Sequence, residues 1–83
     1  MTTEKFHAFL GENGYFEIRE LPDGTTAALY RLMFTTAICT GLDDLGWAYR
    51  WCFADAALAS SELAKLEAMD DKPTGYVAHR GGA

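Results

Sequence analysis

Between Gly46 and Asp71 the spacing of the large apolar residues changes in mid-run. Trp47, Tyr49, Trp51 and Phe53 occupy alternate positions, whereas Leu58, Leu63, Leu66 and Met69 step at helical spacing. Side chains alternate between faces on a strand and recur about every 3.6 residues on a helix, so the change marks a strand passing directly into a helix. That junction, in a chain of 83 residues, predicts one small α+β domain over residues 1–83 with a single modest core. Two Trp, four Tyr and five Phe supply enough apolar bulk for that core without staples.

The rest of the chain extends this frame. Thr3–Leu10 reads as a short helix capped by Thr2 or Thr3 and stopped by Gly11. Tyr15–Leu21 alternates, with Phe16 and Ile18 on one side and Tyr15, Glu17 and Arg19 on the other. Pro22-Asp23-Gly24-Thr25 is a tight hairpin turn. Thr26–Thr40 is ambiguous: its β-branched second half favours one long strand with room for a bulge, and a short helix over Thr26–Met33 is the alternative. Gly41–Gly46 is a turn, and Trp47–Phe53 the third strand. Asp55 caps a long helix running to about Asp70, Asp71–Gly75 is a loop, Tyr76–Arg80 a last strand, and Gly81–Ala83 a flexible end. The expected architecture is two-layered: a short N-terminal helix, a three-stranded antiparallel meander, and a fourth strand after one long helix. Were that strand parallel to the third, the crossover would be right-handed.

A turn at Gly41–Gly46 that sets Thr40 against Trp47 also pairs Ile38 with Tyr49, Thr36 with Trp51 and Phe34 with Phe53. Leu32 and Trp47 join that face, and the stripe Leu58, Leu63, Leu66, Met69 packs over it. The opposite face carries Arg31, Met33, Thr35, Ala37, Cys39, Ala48, Arg50 and Cys52. In this register Cys39 opposes Ala48 and Cys52 opposes Thr35, too far out of step for a disulfide, so both thiols are expected reduced and buried. The small-sided face is open to cover by the N-terminal helix, which the reading favours, by a second copy of the chain, or by a partner.

The formal charge of −5 disfavours direct nucleic-acid binding, which needs a surplus of Lys and Arg. It favours solubility and attraction to basic protein surfaces, including those that ordinarily bind nucleic acid. The N-terminus lacks the basic region and apolar run of a signal peptide, and Ala27–Leu42, broken by Arg31, is too short to span a membrane, so a cytoplasmic location in a host cell is expected. No cofactor or metal is expected: His7 and His79 lack ligand spacing, and Asp43-Asp44 and Asp70-Asp71 lack that of a calcium loop. Gly11-Glu12-Asn13-Gly14 is not a phosphate loop. Glu62, within the apolar stripe of the helix, and His79, with Tyr76 and Arg80 on the last strand, are the residues a catalytic reading would use, near Arg50. Asp70-Asp71 at a helix C-terminus opposes the helix dipole, a sign that the charge serves something other than stability.

Met33-Phe34-Thr35-Thr36-Ala37-Ile38-Cys39-Thr40-Gly41-Leu42-Asp43, then Gly46-Trp47-Ala48-Tyr49-Arg50-Trp51-Cys52-Phe53-Ala54-Asp55, an Ala- and Leu-rich helix, and Pro73-Thr74-Gly75-Tyr76 with a basic residue before Gly81 form a recognisable series. Over residues 33–81 it resembles small uncharacterised proteins encoded by bacteriophages and prophages; Met1–Leu32 lie outside the resemblance. The resemblance brings no catalytic residues. It implies a non-enzymatic accessory protein that binds a host or phage protein, with anti-defence inhibitors of the anti-CRISPR type as one class. The expected contacts are Asp43 and Asp44 in the turn, Glu67, Asp70 and Asp71 at the helix end, and Glu17, Glu20 and Asp23 in the first hairpin. A self-associating virion-assembly protein, dimeric through the small-sided sheet face, is the alternative, and a small enzyme using Glu62 or His79 comes after it.

Overall fold

The structure, a computed structural model, describes residues 2–81. Helix α1 (Thr3–Glu12) precedes strands β1 (Tyr15–Glu20), β2 (Thr26–Arg31), β3 (Thr36–Thr40) and β4 (Tyr49–Phe53); helix α2 (Ala56–Lys65) and strand β5 (Ala78–Gly81) follow. The strands form one sheet in the order β1-β2-β3-β4-β5 with every neighbouring pair antiparallel. The expected α+β class, antiparallel meander, N-terminal helix and post-helix strand are all present. The last strand joins β4 antiparallel, so no parallel crossover arises.

The segment Thr26–Thr40 is two strands rather than one, and its first half is strand rather than helix. The Leu32 N–H donates to the Thr35 carbonyl at 2.8 Å, closing a turn with Met33 and Phe34 at its tip. The turn lacks Gly, Asn and Pro, so the sequence gives no sign of it. Size requires it, because a fifteen-residue strand would run about 50 Å and the molecule's longest dimension is 33 Å. Phe34, expected to pair with Phe53, is instead 87% exposed beside an equally exposed Met33.

The β3–β4 register also differs. Thr40 pairs with Tyr49, Ile38 with Trp51 and Thr36 with Phe53, two residues further along than the turn chemistry suggested. The loop is thus two residues longer, and the Ala48 N–H closes it by donating to the Thr40 carbonyl at 2.9 Å. A two-residue slip preserves side-chain parity, so the face assignments of β3 and β4 survive it. Gly41 stands where this loop meets the chain beyond α2; its φ is +64°, and a Cβ there would lie 2.7 Å from the Ala48 Cβ.

One sheet face packs on α2. Leu29, Ile38, Trp51 and Phe53 meet Ala59, Leu63 and Leu66 there, with Leu21 closing one end. Leu58, expected in that stripe, is more than a third exposed. On the other face Ala28, Ala37, Cys39 and Cys52 pack with Leu10 of α1, flanked by Phe6, Phe9, Ile18, Leu32 and Trp47. The chain's own N-terminus thus covers part of the small-sided face. Leu32 and Trp47, placed with α2 by simple alternation, lie on this side because both fall outside the strands. Ile18 and Phe16 face opposite ways for a related reason: Glu17 adopts a φ of +50° and the β1–β2 register shifts between Phe16 and Arg19. A bulge at that point reverses the alternation.

Local bonds end α1, and a long-range bond meets the end of α2. Thr2 caps α1, its hydroxyl accepting from the Lys5 N–H at 3.3 Å. The helix runs through Gly11 to Glu12, and Gly14, at φ +95°, makes the exit. Asp55 caps α2 as expected, accepting from the Ala57 N–H at 2.8 Å. The helix stops at Lys65, not near Asp70, because Leu66 is extended. The Arg19 guanidinium donates to the Leu63 carbonyl at 2.6 Å, meeting a need that every helix C-terminus has. Of the expected flexible end, Gly81 belongs to β5, while Gly82 and Ala83 lie outside the described residues.

Candidate functional site

Three loops that are distant in sequence meet at one end of the sheet. The β3–β4 loop is tied to β2 by the Leu42 N–H, which donates to the Thr26 carbonyl at 3.0 Å. The β1–β2 turn is tied to the chain after α2: the Asp23 N–H donates to the Glu67 carbonyl at 3.1 Å, and the Met69 N–H donates to Asp23 Oδ2 at 2.9 Å. The Thr40 hydroxyl completes the junction, donating to the Met69 carbonyl at 2.6 Å. These bonds bring Glu20, Asp23, Asp43, Asp44, Glu67, Asp70 and Asp71 to the same end of the molecule. Glu17, the remaining acidic residue singled out from the sequence, sits apart at the β1 bulge, where it accepts from the Ser60 hydroxyl at 2.7 Å.

The carboxylates gathered at this end divide into two kinds. Asp43 Oδ1 accepts from the Leu45 and Gly46 N–H groups at 2.8 and 3.0 Å and so folds its own turn. Asp71 Oδ2 accepts from the Glu67 and Ala68 N–H groups at 2.9 and 3.1 Å. Asp23 accepts from the Thr25 hydroxyl and N–H as well as from Met69, and the Thr25 hydroxyl, first among these, holds its carboxyl below the usual range. These three shape the loops. The side-chain carboxylates of Glu20, Asp44, Glu67 and Asp70 are exposed and enter none of these bonds, so they carry the outward charge. The sequence reading placed Asp70 and Asp71 against a helix dipole; with α2 ending at Lys65, Asp71 instead caps a turn.

The residues of the catalytic reading are split between the two faces of the sheet, with Glu62 and His79 on the α2 side and Arg50 on the other. Glu62 is buried on α2, where its Oε1 accepts from the Thr74 N–H at 2.8 Å and the Thr74 hydroxyl at 3.0 Å, and its Oε2 from Lys65 Nζ at 2.9 Å. The Thr74 N–H, then Lys65 and the Thr74 hydroxyl, hold its carboxyl down to about 2. Glu62 therefore ties the post-helix loop to α2. His79 stacks on Trp51 at 5.2 Å, in register with it on β4–β5, and Tyr76 leans on His79 at 6.0 Å. Arg50 neighbours Trp51 on β4 and so points to the other face, paired in register with Arg80 and Cys39.

Cys39 and Cys52 are free and buried. They oppose Arg50 and Ala37 rather than Ala48 and Thr35, which leaves them diagonal neighbours on one face. Burial pushes the Cys39 thiol up to about 12, so it stays protonated. Among the described residues no three His, Cys, Asp or Glu side chains are grouped to hold a metal ion, and no helix is long and apolar enough to cross a membrane. Two surface features escaped the sequence reading: the Met33–Phe34 tip, which lacks turn residues, and a groove around Arg50, whose walls come from segments far apart in the chain. No protein-family model, curated protein or solved structure matches this chain.

Proposed function

We propose that this chain is a non-enzymatic binding protein whose acidic end engages a basic surface on a host or phage protein. The observation that carries the reading is the convergence of Glu20 at the end of β1 with Asp44, Glu67 and Asp70 from two loops, their side chains unpaired and exposed, where Asp23, Asp43 and Asp71 hold the turns in place. Like charges held close repel one another and lower stability, and a basic partner relieves that repulsion while being steered toward the patch. Together with the resemblance of residues 33–81 to phage and prophage proteins, this favours a stoichiometric accessory protein, with an anti-CRISPR-type inhibitor as the specific form. Such inhibitors profit from presenting carboxylates to a surface that otherwise holds nucleic-acid phosphates. A cytoplasmic site of action in the host cell belongs to the same reading.

The test is capture from a bacterial lysate with the tagged chain, run beside a variant carrying Asp44→Lys, Glu67→Lys and Asp70→Lys. A protein retained at low salt, released as salt rises and lost with the variant supports the reading. Retention of the same proteins by both forms, or of none by either, rejects it. Self-association through the small-sided sheet face is less favoured, since Leu10, Phe6 and Phe9 of α1 pack there.

A further inference from the structure

On the α1 side of the sheet, between the C-terminal half of α1 and the β3–β4 loop, lies an open groove of about 500 Å³. Its size falls within the range of small-ligand sites, about 300–1,000 Å³. Phe9, Tyr15, Tyr30 and Trp47 give it aromatic walls, and the two tyrosine rings lean together at 5.0 Å. Arg50 enters from β4, its guanidinium carbon 4.9 Å from the centre of the Trp47 ring.

Arg50 lacks the partner its chemistry calls for. The one ion pair among the described residues joins Lys65 to Glu62, on the opposite face. Arg50 Nε is buried and has no hydrogen-bond partner. A buried donor left unpaired is costly, so such a group calls for an explanation. Cys39, which opposes Arg50, is held protonated by burial and does not offset its charge. Burial, the largest cause, pushes the Tyr15 hydroxyl further above its ordinary value, and it remains a donor. Against this stand Asp43 and Asp44, which line the same groove from its loop side.

We propose that the groove binds a small zwitterion with a flat apolar body: its carboxylate meets Arg50, its cationic group meets the Asp43–Asp44 loop, and its body lies among Trp47, Tyr15 and Tyr30. Guanidinium binds carboxylate through two parallel hydrogen bonds, and aromatic walls accept a planar group by stacking. Polyanions such as nucleotides are disfavoured, because the two aspartates repel the additional charge. A free aromatic α-amino acid is the simplest molecule with this arrangement. The groove shares the Asp43–Asp44 loop with the acidic end, while Arg50, Trp47, Tyr15 and Tyr30 belong to the groove alone, so loss of ligand binding by Arg50→Gln tests this proposal separately from the protein partner.

The experiment is a titration of the isotopically labelled full chain with L-phenylalanine, read on the Trp47 indole and Arg50 side-chain signals by NMR. Hydrocinnamate, which lacks the ammonium, and phenethylamine, which lacks the carboxylate, are titrated alongside. The expected result is saturable binding of phenylalanine with Kd of about 1 mM or tighter, a few kcal/mol for a small ligand. Phenethylamine should bind much more weakly. Arg50→Gln should weaken phenylalanine and hydrocinnamate alike by about tenfold or more, since it removes the charged pair. Asp44→Asn, an exposed position that is expected to leave the fold intact, should weaken phenylalanine several-fold and leave hydrocinnamate unchanged. Absence of shifts with all three compounds at about 20 mM, well above the range of one charged contact, would overturn the proposal. So would unchanged phenylalanine binding by folded Arg50→Gln, or an Asp44→Asn variant that treats phenylalanine and hydrocinnamate as the wild type does.

Discussion

Glu62 illustrates how much a single residue's role depends on what lies far from it in sequence. Its place inside an apolar stripe is legible from spacing alone, and that conflict singles it out. Its partner Thr74 lies beyond the helix, and only the returning loop converts a misplaced carboxylate into a fastening. The consequence is measurable as a pH dependence. Glu62 holds its proton less tightly in the folded chain, at about 2, than at its ordinary value of 4.5. Its stabilising contribution is therefore complete above about pH 4.5 and is lost as pH falls toward 2. Asp23 acts in the same direction. Thermal unfolding should show Glu62→Gln melting below the wild type at pH 7, with the difference closing near pH 2. A difference that stays constant over that range would remove the Glu62–Thr74 linkage from the account. Glu17 teaches the complementary lesson. Nothing in Tyr15–Leu21 announces a positive φ at a glutamate, so simple alternation placed Phe16 and Ile18 together when they lie on opposite faces.

At the scale of elements, local pattern located both helices and β1, β4 and β5 but merged β2 and β3 into one strand, and tertiary bonds set where several elements stop. The helical period after Asp55 continues to Met69, yet α2 ends at Lys65. The N–H groups of Glu67, Ala68 and Met69 go to Asp71 and Asp23 instead of to helix carbonyls. Side-chain carboxylates that offer the backbone an alternative acceptor compete with helix in this way. Asp71→Ala should accordingly cost about 1 kcal/mol, the ordinary worth of a capping side chain, in denaturant unfolding at pH 7. An unchanged midpoint would mean that the turn after α2 holds without it. The β2–β3 turn is the opposite case, since Met33 and Phe34 are chosen by no packing requirement. Replacing both with Ser should change stability by no more than about 0.5 kcal/mol, as for surface positions generally. A loss several times larger would show that Phe34 packs against β4 after all, as its original pairing with Phe53 supposed.

The whole molecule combines two parts of different legibility. The α+β class and the cover of both sheet faces follow from period and parity, which survive a two-residue slip; the slip brings Cys39 and Cys52 to a diagonal, so their free state does not follow from the register the turn chemistry suggests. The acidic end follows from none of these. Glu20, at a strand end, and Asp44, Glu67 and Asp70, in loops, are separable in sequence as charged residues, but their meeting at one end depends on the turn at Leu32–Thr35, which adds a strand and returns the chain. In the proposed function this location, rather than the overall charge of −5, carries the binding. Two double variants with equal net charge separate those ideas: Asp44→Lys with Asp70→Lys at the acidic end, and Glu12→Lys with Glu17→Lys away from it. The decisive measurement is the affinity of each, beside the wild type, for the protein captured from lysate. The account predicts that the first pair loses binding at least about tenfold while the second stays near wild type. Equal losses from both pairs would contradict it.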